Sequence, residues 1–372
     1  MHWFKKTQTP DFNVHFNDGP VLTNLHKRRS LTARFLLHDR LEYEVSLKPN
    51  EWGKCYKRYC APWKIEILDE CGKLITKHEF DPADKNILIN FDSRSLGDTL
   101  AWIPQVERFT QMHPTTKVFC SHFWSDLGFE PTYPGITFVP PDTTLENIYA
   151  TFTIGYFLGD DLASMHPIDP RLQPLAKVAS DILGIDYEEL RPRLAISNTS
   201  NDIDEKYVCF SMESTAACKL WQYPGGWDQI VAYLNQNGYR AVLIQKKRVE
   251  MDGIINRSGD HPIQQRMGEL NSCDFFIGLG SGLSWIAWAL DKPVVLISGF
   301  SEPYTEFREN CVRVINNDVC TGCWNDPNYV FDRADWNWCP RHCGTDRQFE
   351  CSRSIAPQMV IDAIQSLTGQ TA

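Results

Sequence analysis

The sequence predicts an α/β fold with two Rossmann-like lobes, an antiparallel β-domain before them and a cysteine-rich segment after them. Two series of continuously apolar strands alternate with helix-like segments, which is typical of parallel sheets covered by helices. Before these series, apolar and polar residues alternate, as in antiparallel strands with one solvated face. Four closely spaced cysteines near the C-terminus complete the predicted architecture.

The antiparallel β-domain is predicted over residues 1–82. The segments FNVHFNDGPVLTNL and KIEILDECGKLITKHEF alternate and contain the turn pairs Asp18-Gly19 and Cys71-Gly72. Alternating strands of this kind can pair with a strand from another protein chain. We therefore expect this domain to take part in subunit assembly or to bind an extended segment of a protein acceptor.

The two lobes are predicted over 83–200 and 201–310, with a polar linker near 195–205. The first begins with the strand ILINF, the amphipathic stretch TLAWIPQVERFTQMHP and the strand KVFCSH. The second contains the strands YVCFSM, RAVLIQ, DFFIGL and PVVLIS, separated by helix-like segments. The cysteine segment is predicted over 311–352, and a terminal amphipathic helix over 353–372.

Composition narrows the function classes. The chain has 372 residues, 37 basic and 47 acidic, with a formal net charge of -10 and both signs interspersed. This argues against nucleic acid as a partner and against a polybasic membrane patch. No apolar run approaches the roughly 20 residues of a membrane span, and the first residues do not resemble a signal peptide. With thirteen cysteines, an odd number, we expect thiols in a reducing cytoplasm.

The first candidate site is RSLGDTLAWIP, residues 94–104, directly after the first parallel strand. Ligands of open α/β sheets bind at the carboxyl ends of strands, and Gly97 permits a tight turn that presents Asp98 there. A carboxylate in this position is suited to take a proton from an attacking hydroxyl. On this motif alone, Asp98 fits the cap of the following helix at least as well.

The second candidate is SMESTAACKLW, which follows the first strand of the second lobe. Ser214 and Thr215 offer hydroxyls to phosphate oxygens, and Lys219 offers a compact positive charge to a leaving diphosphate. Taken alone, the segment also fits a solvated polar loop.

The third candidate is GLGSGLSWIAWAL, an apolar strand, a Gly-Ser-Gly turn and an apolar helix. Free N–H groups and the helix dipole at such a turn stabilise a phosphate, although the spacing matches neither common nucleotide fingerprint. Tight packing between strand and helix explains the glycines equally well. The residues predicted to face phosphate are Gly280, Ser281, Gly282, Leu283 and Ser284.

The fourth candidate is CTGC(x15)CPRHC, the strongest local signal. Two thiolate pairs can place four sulfurs tetrahedrally around one metal ion, either zinc or iron. The predicted ligands are Cys320, Cys323, Cys339 and Cys343, with Cys351 as a possible substitute for one of them and His342 as an outside candidate.

The first three motifs together resemble the bacterial heptosyltransferases, GT-B enzymes that use ADP-heptose, over about residues 86 to 300. With the β-domain and the cysteine motif included, the whole chain resembles the autotransporter heptosyltransferases, which attach heptose to serines of adhesin passengers before export. In this resemblance Asp98 is the catalytic base, Lys219 steadies the diphosphate with Ser214 and Thr215 beside it, and the turn at Ser281 faces phosphate.

The lipopolysaccharide branch differs at the third motif. Its motif resembles DTGLSH, with an acidic residue where this chain has Gly280 and a histidine where it has Trp285. Sugar and acceptor contacts of that branch therefore do not transfer to this chain, whereas the backbone phosphate site does.

The resemblance also implies one structural ferric ion per subunit in the cysteine site, with zinc as the alternative, and a homo-oligomer of twelve subunits. We expect the metal to lie away from the chemistry, in a protruding finger for subunit contact. The alternatives are a lipopolysaccharide-core heptosyltransferase, a noncatalytic nucleotide- or iron-binding scaffold, and an iron redox carrier.

Overall fold

The computed structural model describes residues 11–197, 202–329 and 338–369. Part of the predicted linker and part of the cysteine segment lie outside these ranges. The strands of the described residues are β1 Phe12–Asn17, β2 Val21–Asn24, β3 Leu31–Leu37, β4 Arg40–Leu47, β5 Trp52–Lys54, β6 Trp63–Leu68, β7 Leu74–Glu79, β8 Asn86–Phe91, β9 Lys117–Ser121, β10 Ile136–Val139, β11 Ile148–Ile154, β12 Tyr207–Phe210, β13 Arg240–Leu243, β14 Ile254–Asn256, β15 Phe276–Leu279, β16 Val294–Ile297 and β17 Cys311–Val314.

The α-helices of the same residues lie mainly between strands. They are α1 Leu96–Met112, α2 Leu162–Met165, α3 Leu175–Leu183, α4 Gly226–Gln236, α5 Ile263–Ser272, α6 Gly282–Ala289, α7 Glu350–Arg353 and α8 Pro357–Thr368. None of these helices is long and apolar enough to cross a membrane.

The first lobe is a seven-stranded sheet in the order β10-β9-β8-β11-β1-β2-β5. Its first five strands in that order are parallel, and β2 and β5 are antiparallel additions at one edge. Phe16 on β1 is 2% exposed and packs on Phe80 and Tyr149, with ring centroids 5.0 and 5.3 Å away. This burial explains why β1 joins the lobe, because its apolar face completes the lobe's core.

The predicted boundary after residue 82 therefore divides a single sheet. Only β3, β4, β6 and β7 form a separate antiparallel sheet, in the order β4-β3-β6-β7. Alternation identified these strands correctly as half-buried, but it carries no information about which sheet a strand joins.

The second lobe is a fully parallel sheet in the order β14-β13-β12-β15-β16-β17. The four apolar strands predicted from the sequence form its centre and are buried except for Arg240 at the start of β13. The edge strands β14 and β17 were missed because they are short and mostly half-buried. The predicted terminal helix is α8, which packs its buried face on this sheet beside α4.

The lobes meet where α1 and α6 begin. A Cβ atom at Gly282 would lie 2.8 Å from Cβ of Leu96, and one at Gly97 would lie 2.9 Å from Cδ1 of Trp285. Neither glycine has a positive φ angle. Space, rather than backbone conformation, therefore requires glycine at both positions, because a side chain of the opposite helix lies against each glycine.

This contact predicts a stability cost for Gly282→Ala. The added methyl group would force the lobes apart, and overpacking of this kind costs about 1–3 kcal/mol. Urea unfolding should show a lower midpoint. Gly135→Ala is the matched control, because its Cβ would meet only Cγ2 of Thr110, at 3.2 Å. Equal unfolding free energies for the two variants would contradict the tight contact.

Candidate active site and metal centre

Asp98 lies in the first turn of α1, at the carboxyl end of β8. Ser95 occupies the N-cap position, so the alternative interpretation of Asp98 as the cap is wrong. The side chain of Ser93 donates a 2.5 Å hydrogen bond to Oδ2 of Asp98, and the backbone N–H of Ser95 donates to Ser93 Oγ. The carboxylate is thus fixed in the cleft between the lobes, where the helix dipole favours its charge.

The environment of Asp98 suits a base that works near neutral pH. Burial raises the pKa of its carboxyl, against the opposing effects of the hydrogen bond from Ser93 and the positive charge of Lys219. A carboxylate with a raised pKa holds a proton more strongly, which makes it a better general base at neutral pH. Gly97, beside Asp98, lies against the ring of Trp285 on α6, so residues from both lobes meet at this point.

Lys219 ends a short helical turn, Ala217–Lys219, in the loop after β12. Its Nζ donates to the carbonyl of Gly280, 3.2 Å away. This contact brings together the second and third candidate motifs. Ser214 accepts a 3.4 Å hydrogen bond from the N–H of Ala216, and Thr215 is exposed.

The α6 start has Ser281 as its N-cap in extended conformation. The first N–H groups of a helix have no partner inside it, so those of Gly282, Leu283 and Ser284 are suited to an anion. The hydroxyl of Ser284 is buried and donates to the carbonyl of Leu279 at 2.5 Å. Only its backbone is therefore suited to meet phosphate.

The five candidate cysteine ligands differ in their exposure to solvent. Cys323, Cys339 and Cys351 are buried, Cys320 is partly buried, and Cys343 is exposed. Burial, with the nearby thiols of Cys320, Cys323, Cys339 and Cys218, raises the pKa of Cys351 to about 12. Cys351 thus lies near four other thiols, in a cluster of five, and a metal ion would release the protons of those thiols that it binds.

Cys320 has a second set of neighbours. One ligand atom each from Cys320, His342 and Glu350 lie within 4.8 Å of one another. Glu350 is already paired with Arg347 at 2.5 Å and accepts a 3.5 Å hydrogen bond from the N–H of Cys320. We therefore regard Glu350 and His342 as groups that orient the thiol cluster, since carboxylates that hold a ligand in place commonly lie just outside a metal site.

The cysteine segment packs against the Lys219 loop, which differs from the expected protruding finger. Cys323, Cys339 and Trp324 share a buried cluster with Ala216 and Cys218 of that loop. The ring of Trp324 meets Tyr156 of the first lobe edge to face, with centroids 5.2 Å apart. The thiol cluster thus lies directly behind the loop that carries Lys219.

The chain is similar to several known proteins, and their similarity shows its family. Residues 169–320 match the model of glycosyltransferase family 9 (heptosyltransferase). The autotransporter heptosyltransferase Aah of Escherichia coli is 39% identical over 85% of this chain and 83% of its own. The chain belongs to the autotransporter heptosyltransferases. The predicted GT-B architecture is confirmed by the fold shared with family members of known structure.

Two other relatives add detail. An autotransporter heptosyltransferase of Burkholderia thailandensis, BimC, is 36% identical over 84% of this chain and 76% of its own and is named inactive. The dodecameric iron-containing heptosyltransferase TibC, solved in complex with ADP-D-beta-D-heptose, is 33% identical. Its TM-score is 0.89, with 99% of this chain and all of that chain covered.

Three side chains at this heptosyltransferase site were not predicted from the sequence. They are Ser93 beside Asp98, Tyr156 between the lobes, and Glu306 next to Gly280. Ser93 is part of the FDSRS run at the strand end, and the polar character of this run was the only signal. Tyr156 and Glu306 lie far along the chain from the motifs that they contact, and no local pattern marks them.

The Ser93 hydrogen bond predicts a shift in pH dependence. It stabilises the ionised form of Asp98, so Ser93→Ala should raise the pKa of that carboxyl further. Because the base acts when deprotonated, the acid limb of kcat/KM for heptose transfer should move to higher pH. The exposed Ser46→Ala is the control. If the acid limb of Ser93→Ala is unchanged, either this hydrogen bond does not affect the pKa of Asp98 or the ionisation of Asp98 does not limit the rate.

Proposed function

We propose that this enzyme transfers heptose from ADP-heptose to serine hydroxyls of an autotransporter adhesin, with inversion at the anomeric carbon. One observation carries the proposal: the helix start that holds Asp98 contacts the α6 start of the other lobe, beside which Nζ of Lys219 donates to the carbonyl of Gly280. A base and a diphosphate site thus face one another across the space where the sugar must lie. The TibC complex with ADP-D-beta-D-heptose, on the same fold, identifies the donor class.

In the proposed reaction the serine hydroxyl loses its proton to Asp98 and attacks the anomeric carbon from the face opposite ADP. The glycosidic C–O bond to serine forms as the bond to the β-phosphate oxygen breaks, and ADP leaves with the bonding electrons. Lys219 and the N–H groups at the α6 start stabilise its increased negative charge. Because these groups stabilise the charge on ADP, the proposed reaction includes no divalent cation.

The base assignment predicts the behaviour of Asp98→Ala. Positioned general bases contribute about 10²–10⁴-fold, so the transfer rate should fall by that factor while ADP-heptose binding persists. Radiolabelled ADP-heptose with a purified passenger measures transfer, and calorimetry measures binding. Asp362→Ala, which changes an exposed carboxylate on α8, is the matched control. Near-normal turnover by folded Asp98→Ala would exclude this carboxylate as the base.

A noncatalytic scaffold is the second candidate, favoured by the relative BimC, which is named inactive at 36% identity. A scaffold would bind ADP-heptose without transferring heptose to any acceptor. Offering labelled donor with both an adhesin passenger and lipopolysaccharide-core acceptor separates the three possibilities. Label in the passenger alone supports our proposal, and label in the core supports the lipopolysaccharide alternative.

We further propose that the cysteine segment holds one iron ion and that Cys320, Cys323, Cys339 and Cys351 are its ligands. These four are the thiols of the five-thiol cluster that belong to the cysteine segment, and tetrathiolate sets suit iron or zinc. TibC, described as iron-containing and dodecameric, favours iron and a twelve-subunit assembly. The sequence-based choice of Cys343 as fourth ligand is less consistent with the structure, since that thiol is exposed. We also propose that the protein is located in a reducing cytoplasm, where metal-binding thiolates persist.

The ligand assignment makes a paired prediction. Cys351→Ser should lose most of the bound iron, because it removes a converging thiol, whereas Cys343→Ser should retain it. Metal content per subunit, measured by plasma mass spectrometry, distinguishes the two. Retention of iron by Cys351→Ser together with its loss from Cys343→Ser would restore the original set. Because the cysteine segment packs behind the Lys219 loop, loss of iron should also lower the rate of heptose transfer.

A further inference from the structure

Glu306 is a buried carboxylate in the loop between β16 and β17. It is 7% exposed, accepts hydrogen bonds from Ser301 Oγ at 3.1 Å, and forms a 2.5 Å ion pair with Arg313. Both partners of this pair are at least nine-tenths buried. The carboxylate is therefore held in one orientation, and its charge is compensated within the second lobe.

The same carboxylate borders the predicted phosphate turn. A Cβ atom at Gly280 would lie 2.7 Å from Oε1 of Glu306. Gly280 does not have a positive φ angle, so the position requires glycine because Glu306 occupies the adjoining space. An acidic side chain at position 280, as in the DTGLSH motif, would collide with it. Glu306 thus brings a carboxylate to this turn from another part of the chain.

Glu306 also lies near the base. Besides burial, the negative charges of Asp98 and Glu306 both raise the pKa of Tyr156 well above its usual value. The partly buried phenol of Tyr156, between the lobes, is therefore within range of both carboxylates. Asp98 must reach the hydroxyl that attacks the anomeric carbon, and Lys219 and the α6 start must hold the diphosphate. The donor's sugar ring is consequently confined to the space that Glu306 borders at Gly280.

We propose that Glu306 determines specificity for the donor sugar by accepting hydrogen bonds from hydroxyls of the heptose ring. This inference rests on the proposed function and names the group that recognises the sugar. A carboxylate has about four lone-pair sites, more than Ser301 and Arg313 fill. Hydroxyls of a polyol can donate to the lone-pair sites that remain.

A purely structural role for the ion pair makes a different prediction. If Glu306 only fixed the loop between β16 and β17, its replacement would disturb the neighbouring Gly280 turn and weaken ADP and ADP-heptose alike. Loss of a sugar contact, in contrast, would weaken the binding of ADP-heptose but not that of ADP. The ratio of the two affinities therefore separates the roles, whatever the change in overall stability.

The experiment compares Glu306→Gln with wild-type protein by calorimetric titration with ADP and with ADP-heptose. We expect ADP affinity to change by less than about twofold and ADP-heptose affinity to fall about ten- to a hundredfold, the usual effect of losing hydrogen bonds to a charged group. Glu309→Gln is the control, because Glu309 is in the same loop but exposed and pairs with Arg191 at 3.4 Å. It should leave both affinities unchanged.

Equal loss of ADP and ADP-heptose affinity, or no loss of either, would overturn the proposal. If Glu306→Gln does not fold, Glu306→Asp serves the same comparison, because it keeps the negative charge opposite Arg313 and withdraws it from the sugar by one methylene. Wild-type protein that binds no ADP-heptose would contradict the proposed function itself. A failure confined to the affinity ratio contradicts only the role of Glu306.

Discussion

The close contact between the α1 and α6 starts is the constraint on which the site depends. Leu96 rests against Gly282 and Trp285 against Gly97, so the base and the phosphate-binding turn are adjacent even though they belong to different lobes. Any side chain at either glycine would enlarge the cleft. In many two-lobed enzymes a ligand brings the lobes together, but here packing already sets the spacing at this edge. Catalytic geometry of this precision is most economically built on helix and strand ends.

The cysteine segment also connects the two lobes, on the side of the site behind the Lys219 loop. Its backbone is tied to the second lobe through hydrogen bonds from Gly322 to Gly299 and from Trp324 to Phe300, both 3.0 Å long. From there Trp324 reaches Tyr156 in the other lobe. A metal ion among these thiols would therefore restrain both the Lys219 loop and the junction between the lobes. Its structural role and the chemistry are physically connected.

The sequence predicted those parts of the site that local patterns encode. Asp98, Lys219 and the Gly280 turn each follow an apolar strand, and strand ends in parallel sheets converge at one edge, so their proximity could be inferred. Glu306 and Tyr156 could not be inferred, because their positions depend on how a loop folds back after β16 and how β11 ends. Spacing favoured Cys343 over Cys351 because sequence distance measures neither burial nor direction.

The same limit applies to the fold. Central strands such as β12 and β15 are continuously apolar and were recognised, whereas β17 was assigned to the cysteine segment because its half-buried residues lack that pattern. The β-domain boundary was drawn where the apolar pattern changes, although β1 crosses it to reach β11. Alternation reports the burial of a strand's faces and does not identify its partner strand.

The pairing of β1 with β11 orders events during synthesis. Thr151 donates to the side chain of Asn17 across 134 residues of chain, in the same register that aligns the two strands. During synthesis β1 must therefore wait for its partner until β11, the fifth of the lobe's parallel strands in chain order, has emerged. Long-range pairing of this kind slows folding and leaves an apolar edge open to other chains. The nascent lobe is thus a natural client for chaperones that bind emerging polypeptides.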